Sequence, residues 1–256
     1  MNIACMRDAY RADHRGWLFN FFWPFTRYIV THLVVTTLGT LIFFVLNRTK
    51  VIGRANVPRE RNTLLLSNHQ SMIDSFLLGM CAFYGPSLFK PYLVPWNPAA
   101  EENFYANRFV GWWSDQSKCI PVRPGRRDLK ALNRMMRALR SGTMILFPEG
   151  TRTRDGSIGK GRAGAGIVIL QNRPVVIPVV VDGMNEVLPI GRVLPKIGKR
   201  VFVMFGEPFD YSDYLDREAS KETSEALVEE VMQELRGRLA ELRSRYRQQT
   251  DERAGE

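Results

Sequence analysis

The sequence predicts an α/β protein, a mixed sheet flanked by helices, preceded by a hydrophobic helical segment. Three observations lead there. After residue 50, short runs rich in Val, Ile and Leu alternate with helical patterns, the signature of strands and helices in turn. Tyr28 to Leu46 carries no formal charge. And 45% of the 256 residues are apolar, enough for a core of domain size. The expected boundaries are an N-terminal segment over 1–50, an α/β domain over 51–215, and an amphipathic helix over 216–256 packed on or beside that domain.

The elements follow in order. Trp17 to Trp23 is aromatic and Pro24 is expected to break the chain there. As a helix, Tyr28–Leu46 reaches roughly 28 Å, about the thickness of a bilayer's hydrocarbon core. Trp17, Trp23 and Tyr28 suit a membrane interface, with Arg48, Lys50 and Arg54 facing headgroups at the far end. No small-x-small site follows, and Asn47-Arg48-Thr49-Lys50 ends the run, so a cleaved signal peptide is not expected. Pro24, His32 and four threonines (Thr31, Thr36, Thr37, Thr40) leave open a span or a hairpin in one leaflet; a buried helix of a soluble protein is the bland alternative.

Val51–Arg54 and the loop Pro58–Asn62 lead into a strand, Thr63–Ser67, and a helix, Asp74–Tyr84. A long irregular aromatic stretch covers Pro86–Trp113. Next are expected a strand (Lys118–Val122), a helix (Leu129–Arg140) and a strand (Thr143–Phe147). A glycine-rich turn, a helix (Ala165–Gln171) and strands Val175–Val181 and Val201–Phe205 complete the domain. In the terminal helix, Lys221–Gln248, Val228, Val231, Met232, Leu235, Leu239 and Leu242 recur at three- and four-residue steps. Arg238, Arg243, Arg245 and Arg247 form a basic cluster there that could also touch a membrane, and the last six residues are expected to fray.

The formal charge of +10 calls for an anionic partner, nucleic acid or an anionic membrane. The uncharged N-terminal run decides for the membrane, and no nucleic acid is expected. Three cysteines (Cys5, Cys81, Cys119) give no even framework and no CxxC, so neither disulfide nor metal is indicated. No GxSxG pentapeptide is present, which argues against a serine hydrolase. Of three histidines, His14 and His32 lie in the N-terminal segment, leaving His69 as the candidate in the domain.

His69 stands in Asn68-His69-Gln70-Ser71-Met72-Ile73-Asp74, between the first strand and its helix. A carboxylate in the first helical turn can accept one imidazole N–H, fix the tautomer and leave the other nitrogen free to take a proton. The bland alternative is a capping Asp74 beside an incidental surface histidine. A second block, Phe147-Pro148-Glu149-Gly150-Thr151-Arg152-Thr153-Arg154, overturns it.

Together these blocks resemble the glycerolipid acyltransferase family. Cys119-Ile120-Pro121-Val122-Arg123 and Val176-Ile177-Pro178-Val179-Val180 look like its second and fourth blocks, in the right order, and the resemblance covers roughly residues 51 to 210. It implies His69 as base and Asp74 as its orienting partner. It implies a fatty acyl thioester donor, acyl-CoA or acyl carrier protein (acyl-ACP), as co-substrate, with no cofactor and no metal. The acceptor it implies is a lysophospholipid, chiefly the free hydroxyl of 1-acylglycerol-3-phosphate, whose phosphate Gly150, Thr151 and Arg152 would bind. Gly150 allows close backbone approach and Arg152 supplies a planar cationic fork. Glu149 belongs to that site by resemblance, ordering arginines or binding the glycerol. Arg123 is a further phosphate candidate by family position, with a solvated strand-end charge as its alternative. Pro178 is expected to end or bulge an edge strand. The aromatic stretch from Trp96 is somewhat like that of tafazzin-type transacylases, an alternative donor chemistry; a membrane scaffold is the non-enzyme alternative. The expected location is a bacterial inner membrane, with the catalytic domain on the cytoplasmic side.

Gly159-Lys160-Gly161-Arg162-Ala163-Gly164 matches GxGxxG, with Asp182 further on. The nucleotide fingerprint needs a strand directly before its first glycine, and the polar Thr151–Ser157 run supplies none. A basic turn lining the phosphate or donor site, or merely starting a helix, is the better reading.

Overall fold

The computed structural model describes residues 16–123, 128–218 and 220–247. The expectations for Cys5, His14 and the last six residues lie outside these. The centre of the sheet is β2 (Thr63–Ser67), buried at every position, as an unbroken apolar run requires of a strand covered on both faces. Its parallel neighbours are β5 (Thr143–Leu146) and β6 (Val175–Asp182). Beyond β6 comes β7 (Arg200–Phe205), antiparallel, and then β1 (Arg48–Ile52), parallel to β7. On the other edge β3 (Asn97–Ala100) and β4 (Cys119–Val122) form a parallel ribbon that Trp96 joins to β5 by bridging Met144. One antiparallel pairing among parallel ones makes this the mixed sheet that was expected.

The longer helices are α1 (Trp17–Val45), α2 (Asp74–Phe83), α3 (Arg108–Gln116), α4 (Leu129–Ser141), α5 (Ala163–Asn172) and α6 (Lys221–Leu242). Strand side chains alternate between faces. Leu64, Leu66, Met144, Val176 and Val180 meet α4, α5 and α6. Leu65, Ile145, Ile177, Val179 and Val181 meet α2 and Phe43 of α1. All six apolar residues expected along α6 are buried, and truncating one such as Leu235 to alanine would cost about 2–5 kcal/mol. The α5–α6 approach depends on Gly166, where a Cβ would run into the Ser224 backbone.

Several expectations are corrected. Pro24 does not break the N-terminal segment: the helix runs through it from Trp17 to Val45, widening to π geometry over Val30–Val35 and Thr40–Val45. Burial of Trp23 and Arg27 on either side offsets the donor that proline lacks. Trp23 is therefore a core residue, bonded through Nε1 to the Asp115 carbonyl at 3.1 Å, not an interfacial anchor. Lys50 lies over the Tyr246 ring and Arg54 donates to the Tyr84 carbonyl, so both make contacts within the protein. The supposedly irregular stretch holds β3 and α3. Pro178 sits inside the central strand β6, where the β7 ladder begins only at Val179, so the missing N–H falls outside it. Three arginines of the expected basic cluster are ion-paired: Arg238 with Glu234, Arg243 with Asp182, Arg245 with Glu241. Residues 151–162 form no strand, which removes the nucleotide reading of the glycine run.

Candidate active site

The carboxyl ends of β2, β5 and β6 share one edge, where the functional blocks emerge. Beyond Ser67 the Asn68 side chain imitates a backbone unit. It donates to the Val181 carbonyl (2.9 Å) and accepts the Val181 N–H (2.8 Å), extending the β6 pairing past the end of β2. Gln70 Oε1 accepts the Met184 N–H (3.0 Å) and Ser71 Oγ donates to the Leu188 carbonyl (3.1 Å). The turn is thus fastened to the segment that follows β6.

In this frame His69 Nδ1 lies 2.9 Å from Asp74 Oδ2. The same oxygen accepts the Gln70 and Ser71 N–H groups, each at 2.7 Å. Asp74 is wholly buried in the first turn of α2, while the His69 side chain keeps 19% of its surface. A carboxylate only accepts, so Nδ1 carries the hydrogen and Nε2 keeps a lone pair. Phe147 stacks on the imidazole, centroids 4.0 Å apart and planes at 13°, fixing the ring's plane.

The second block reaches the first through the backbone. Thr153 N–H donates to the His69 carbonyl (2.9 Å), and the His69 N–H donates to Glu149 Oε1 (3.1 Å). The other Glu149 oxygen accepts the Gly159 N–H (3.0 Å). Burial raises the Glu149 carboxyl above its ordinary range, with these two N–H groups opposing. Its carboxylate therefore joins two loops rather than gripping an arginine; its backbone carbonyl is what Arg162 Nε touches, at 3.1 Å. Gly150 has φ +65°, the left-handed conformation that favours glycine, and a Cβ there would press on the Arg162 side chain.

Thr151 is exposed and Arg152 half-buried. Among the described residues Arg152, Arg154 and Lys160 make no side-chain hydrogen bond or ion pair, and Arg162 has no carboxylate partner. Four cations within one loop thus form no ion pair among the described residues. Arg123 is placed differently: at the end of β4 it pairs with Glu101 (Nε–Oε2 2.6 Å), both exposed, and has no bond to His69 or Glu149. The guanidinium holds the Glu101 carboxyl below the usual range.

Several contributors were not read from the sequence. Phe147 opens the second block, but nothing in its type announces a ring contact. Arg162 lies in the glycine run that was expected only to line the site or start a helix. From α6 and the turn after it, Arg236 donates to the Gly159 carbonyl (3.1 Å), and Arg243 to the Gly156 carbonyl (3.0 Å) while pairing with buried Asp182 (2.8 Å). A largely apolar cleft starts at Ser75, beside Asp74, and runs between α1 and α2 past Val35, Phe76, Met80 and Phe83.

Comparison with known proteins bears on this arrangement. The chain is similar to chloroplastic 1-acyl-sn-glycerol-3-phosphate acyltransferases of Arabidopsis thaliana and Brassica napus, each 24% identical over 62% of this chain. It spans less than half the length of these relatives, 43% and 44%. Its fold matches the crystal structure of the 1-acyl-sn-glycerophosphate acyltransferase of Thermotoga maritima, with a TM-score of 0.65 over 90% of both chains at 24% identity. The acyltransferase family model matches residues 48–182, more than half of the chain, from the start of β1 to the end of β6. Both blocks described above fall within that match, and the chain belongs to the acyltransferase family.

Proposed function

We propose that this protein transfers a fatty acyl chain from an acyl thioester to the free hydroxyl of 1-acylglycerol-3-phosphate, giving phosphatidic acid. The observation that carries this is the contact between blocks: Thr153 holds the His69 carbonyl, so the unpaired Arg152 sits one residue from the turn bearing the base. The names of the plant relatives and of the Thermotoga enzyme support the same acceptor.

The chemistry follows from the geometry. His69 Nε2 takes the acceptor's hydroxyl proton as its oxygen attacks the thioester carbonyl, a contribution of about 10²–10⁴-fold. Asp74 holds the ring through Nδ1 and stabilises the imidazolium. When the tetrahedral intermediate collapses, the C–S bond breaks and the imidazolium returns its proton to the leaving thiolate. Acyl passes from sulfur to oxygen, so no enzyme nucleophile and no cofactor enter the balance; acyl-CoA or acyl-ACP is a co-substrate. Arg152, with Gly150 and Thr151 beside it, binds the acceptor phosphate through charge-assisted hydrogen bonds. The cleft along α2 receives an acyl chain.

We also place the protein on a membrane surface. Trp23, Thr36 and Phe43, spread along α1, are buried against the domain, while Leu18, Phe21, Phe25, Leu33, Leu38 and Phe44 face outward. A helix packed side-on at both ends cannot cross a bilayer without taking the domain's flank with it, so α1 lies in one leaflet. The cytoplasmic side of a bacterial inner membrane, where thioester donors occur, fits this arrangement.

The test is acyl transfer by the purified wild type beside His69→Ala. One mixture holds lysophosphatidic acid with acyl-CoA; the other holds a lysophospholipid with an intact phospholipid as donor. Phosphatidic acid formed in the first and lost in the variant is expected. Product in the second mixture alone would replace the thioester with a phospholipid donor.

A further inference from the structure

The loop between Leu188 and Lys199 holds a second apolar surface that neither the catalytic site nor the core uses. Val193, Leu194 and Ile197 expose 87%, 78% and 66% of their surface. Arg192 and Lys196 alternate with them and have no ion-pair partner among the described residues. Gly191 and Gly198, with φ of +88° and +75°, bend the chain at either end of this run.

The loop is tied at both ends. At one end Leu188 accepts the Ser71 hydroxyl from the catalytic turn (3.1 Å), and Met184 donates to Gln70 (3.0 Å). At the other, buried Asn47, just past the end of α1, donates to the Lys196 carbonyl (3.0 Å) and accepts the Lys199 N–H (2.8 Å). Gly198 N–H adds a bond to the Leu46 carbonyl (2.8 Å). These bonds bring the loop against the end of α1, where Leu41, Phe44 and Val45, and Leu46 just after them, are also exposed.

The geometry points to the Ile190–Lys199 loop as a second membrane-docking element, inserting Val193, Leu194 and Ile197 among the headgroups of an anionic bilayer while Arg192 and Lys196 contact lipid phosphates. This rests on the membrane placement of α1 proposed above and deepens it. One helix lying in a leaflet can still roll about its own axis. A second contact, linked to the helix through Asn47 and to His69's turn through Leu188 and Ser71, fixes the roll and holds the active-site edge towards the lipid. Aliphatic side chains supply the insertion, and each basic residue near an anionic surface adds on the order of fivefold in partitioning.

The experiment uses the full chain with Cys5→Ser, an environment-sensitive fluorophore on Leu194→Cys and, separately, on Lys221→Cys at the start of α6 on the opposite face of the sheet. Vesicles are phosphatidylcholine alone or mixed with phosphatidylglycerol. Expected is a blue-shifted, brighter Leu194 label, quenched by a lipid-borne quencher and strongest with phosphatidylglycerol, while the Lys221 label is unchanged. The Val193→Ser/Leu194→Ser/Ile197→Ser variant should lose at least about fivefold in turnover of vesicle-embedded acceptor but retain turnover of a short-chain, water-soluble acceptor. A Leu194 label still in water on vesicle-bound protein overturns the loop's role and leaves that of α1 standing. Failure of the whole chain to bind vesicles overturns both. A label buried without vesicles, in step with protein concentration, would assign the surface to a second copy of the chain.

Discussion

The His69 turn and the Gly150–Arg162 loop meet where Thr153 holds the His69 carbonyl, yet they are built on opposite plans. In the turn Asn68, His69, Gln70, Ser71 and Asp74 each have a named partner within 3.1 Å, and Asp74 is wholly buried. In the loop Arg152, Arg154, Lys160 and Arg162 make no ion pair among the described residues, and the backbone is held from outside, by Arg236 at Gly159 and Arg243 at Gly156. A proton-transfer group works only in one orientation, and satisfied bonds fix it. An anion site works by lacking an anion, so its charges stay unpaired until substrate supplies one. Damage to the turn should therefore appear in kcat, and damage to the loop in the acceptor's KM.

The largest expected effect tests the turn. His69→Ala should lower kcat by about 10²–10⁴-fold with unchanged thermal unfolding. Asp74→Asn leaves an amide oxygen for the Gln70 and Ser71 N–H groups but removes the charge that stabilises the imidazolium. Its kcat should fall by roughly 10²-fold or more, with acceptor KM nearly constant. A rise in KM in place of the fall in kcat would dissolve the contrast between the two regions.

The next effect belongs to the loop. Arg152→Ala removes a charge-assisted contact worth about 1.5–3 kcal/mol, so acceptor KM should rise roughly 10- to 100-fold with kcat within a few-fold. An acceptor lacking the phosphate should show no such difference between wild type and variant. An unchanged KM would remove Arg152 from the phosphate site.

What could be read in advance follows the same division. The strand β2, the turn and α2 are written locally: three consecutive leucines, then a histidine and an aspartate five residues apart. β1 was missed because Arg48-Thr49-Lys50 looks like headgroup-facing charge, and it becomes a strand by pairing with Arg200–Met204, far along the chain. β3 was missed for the same reason, since Asn97-Pro98-Ala99-Ala100 has no strand character until Cys119–Val122 lies beside it. Glu149 was expected to order arginines or bind the glycerol; its carboxylate takes two backbone N–H groups and no guanidinium, which motif membership does not reveal. Nothing in the sequence marks Arg243 out from its neighbouring arginines; only the folded chain sets it against Asp182.

Arg243 gives the intermediate effect, since it supports the loop without lying in it. Arg243→Ala removes the guanidinium facing buried Asp182 and the donor to the Gly156 carbonyl, at a cost on the order of 1–3 kcal/mol in stability. Loosened at Gly156, the loop should bind acceptor roughly 3- to 10-fold more weakly, with kcat little changed. Arg243→Lys restores charge but not the fork, so it should recover stability better than KM. Equal recovery of both would make the contact purely structural.

Arg123 lies in the second family-like block, yet its guanidinium already has a carboxylate, Glu101, at 2.6 Å, and both are exposed. Water screens an exposed pair of this kind, so it contributes little to stability. If unpaired charge is what marks the anion site, Arg123→Ala should change acceptor KM by less than about twofold, beside the large rise for Arg152→Ala. Glu101→Gln supplies the complementary test by releasing Arg123. A lower acceptor KM in Glu101→Gln, abolished when Arg123→Ala is added, would show that substrate competes with Glu101 for this arginine. The anion site would then extend from the β5 loop to the end of β4, with one of its charges held in reserve by a carboxylate.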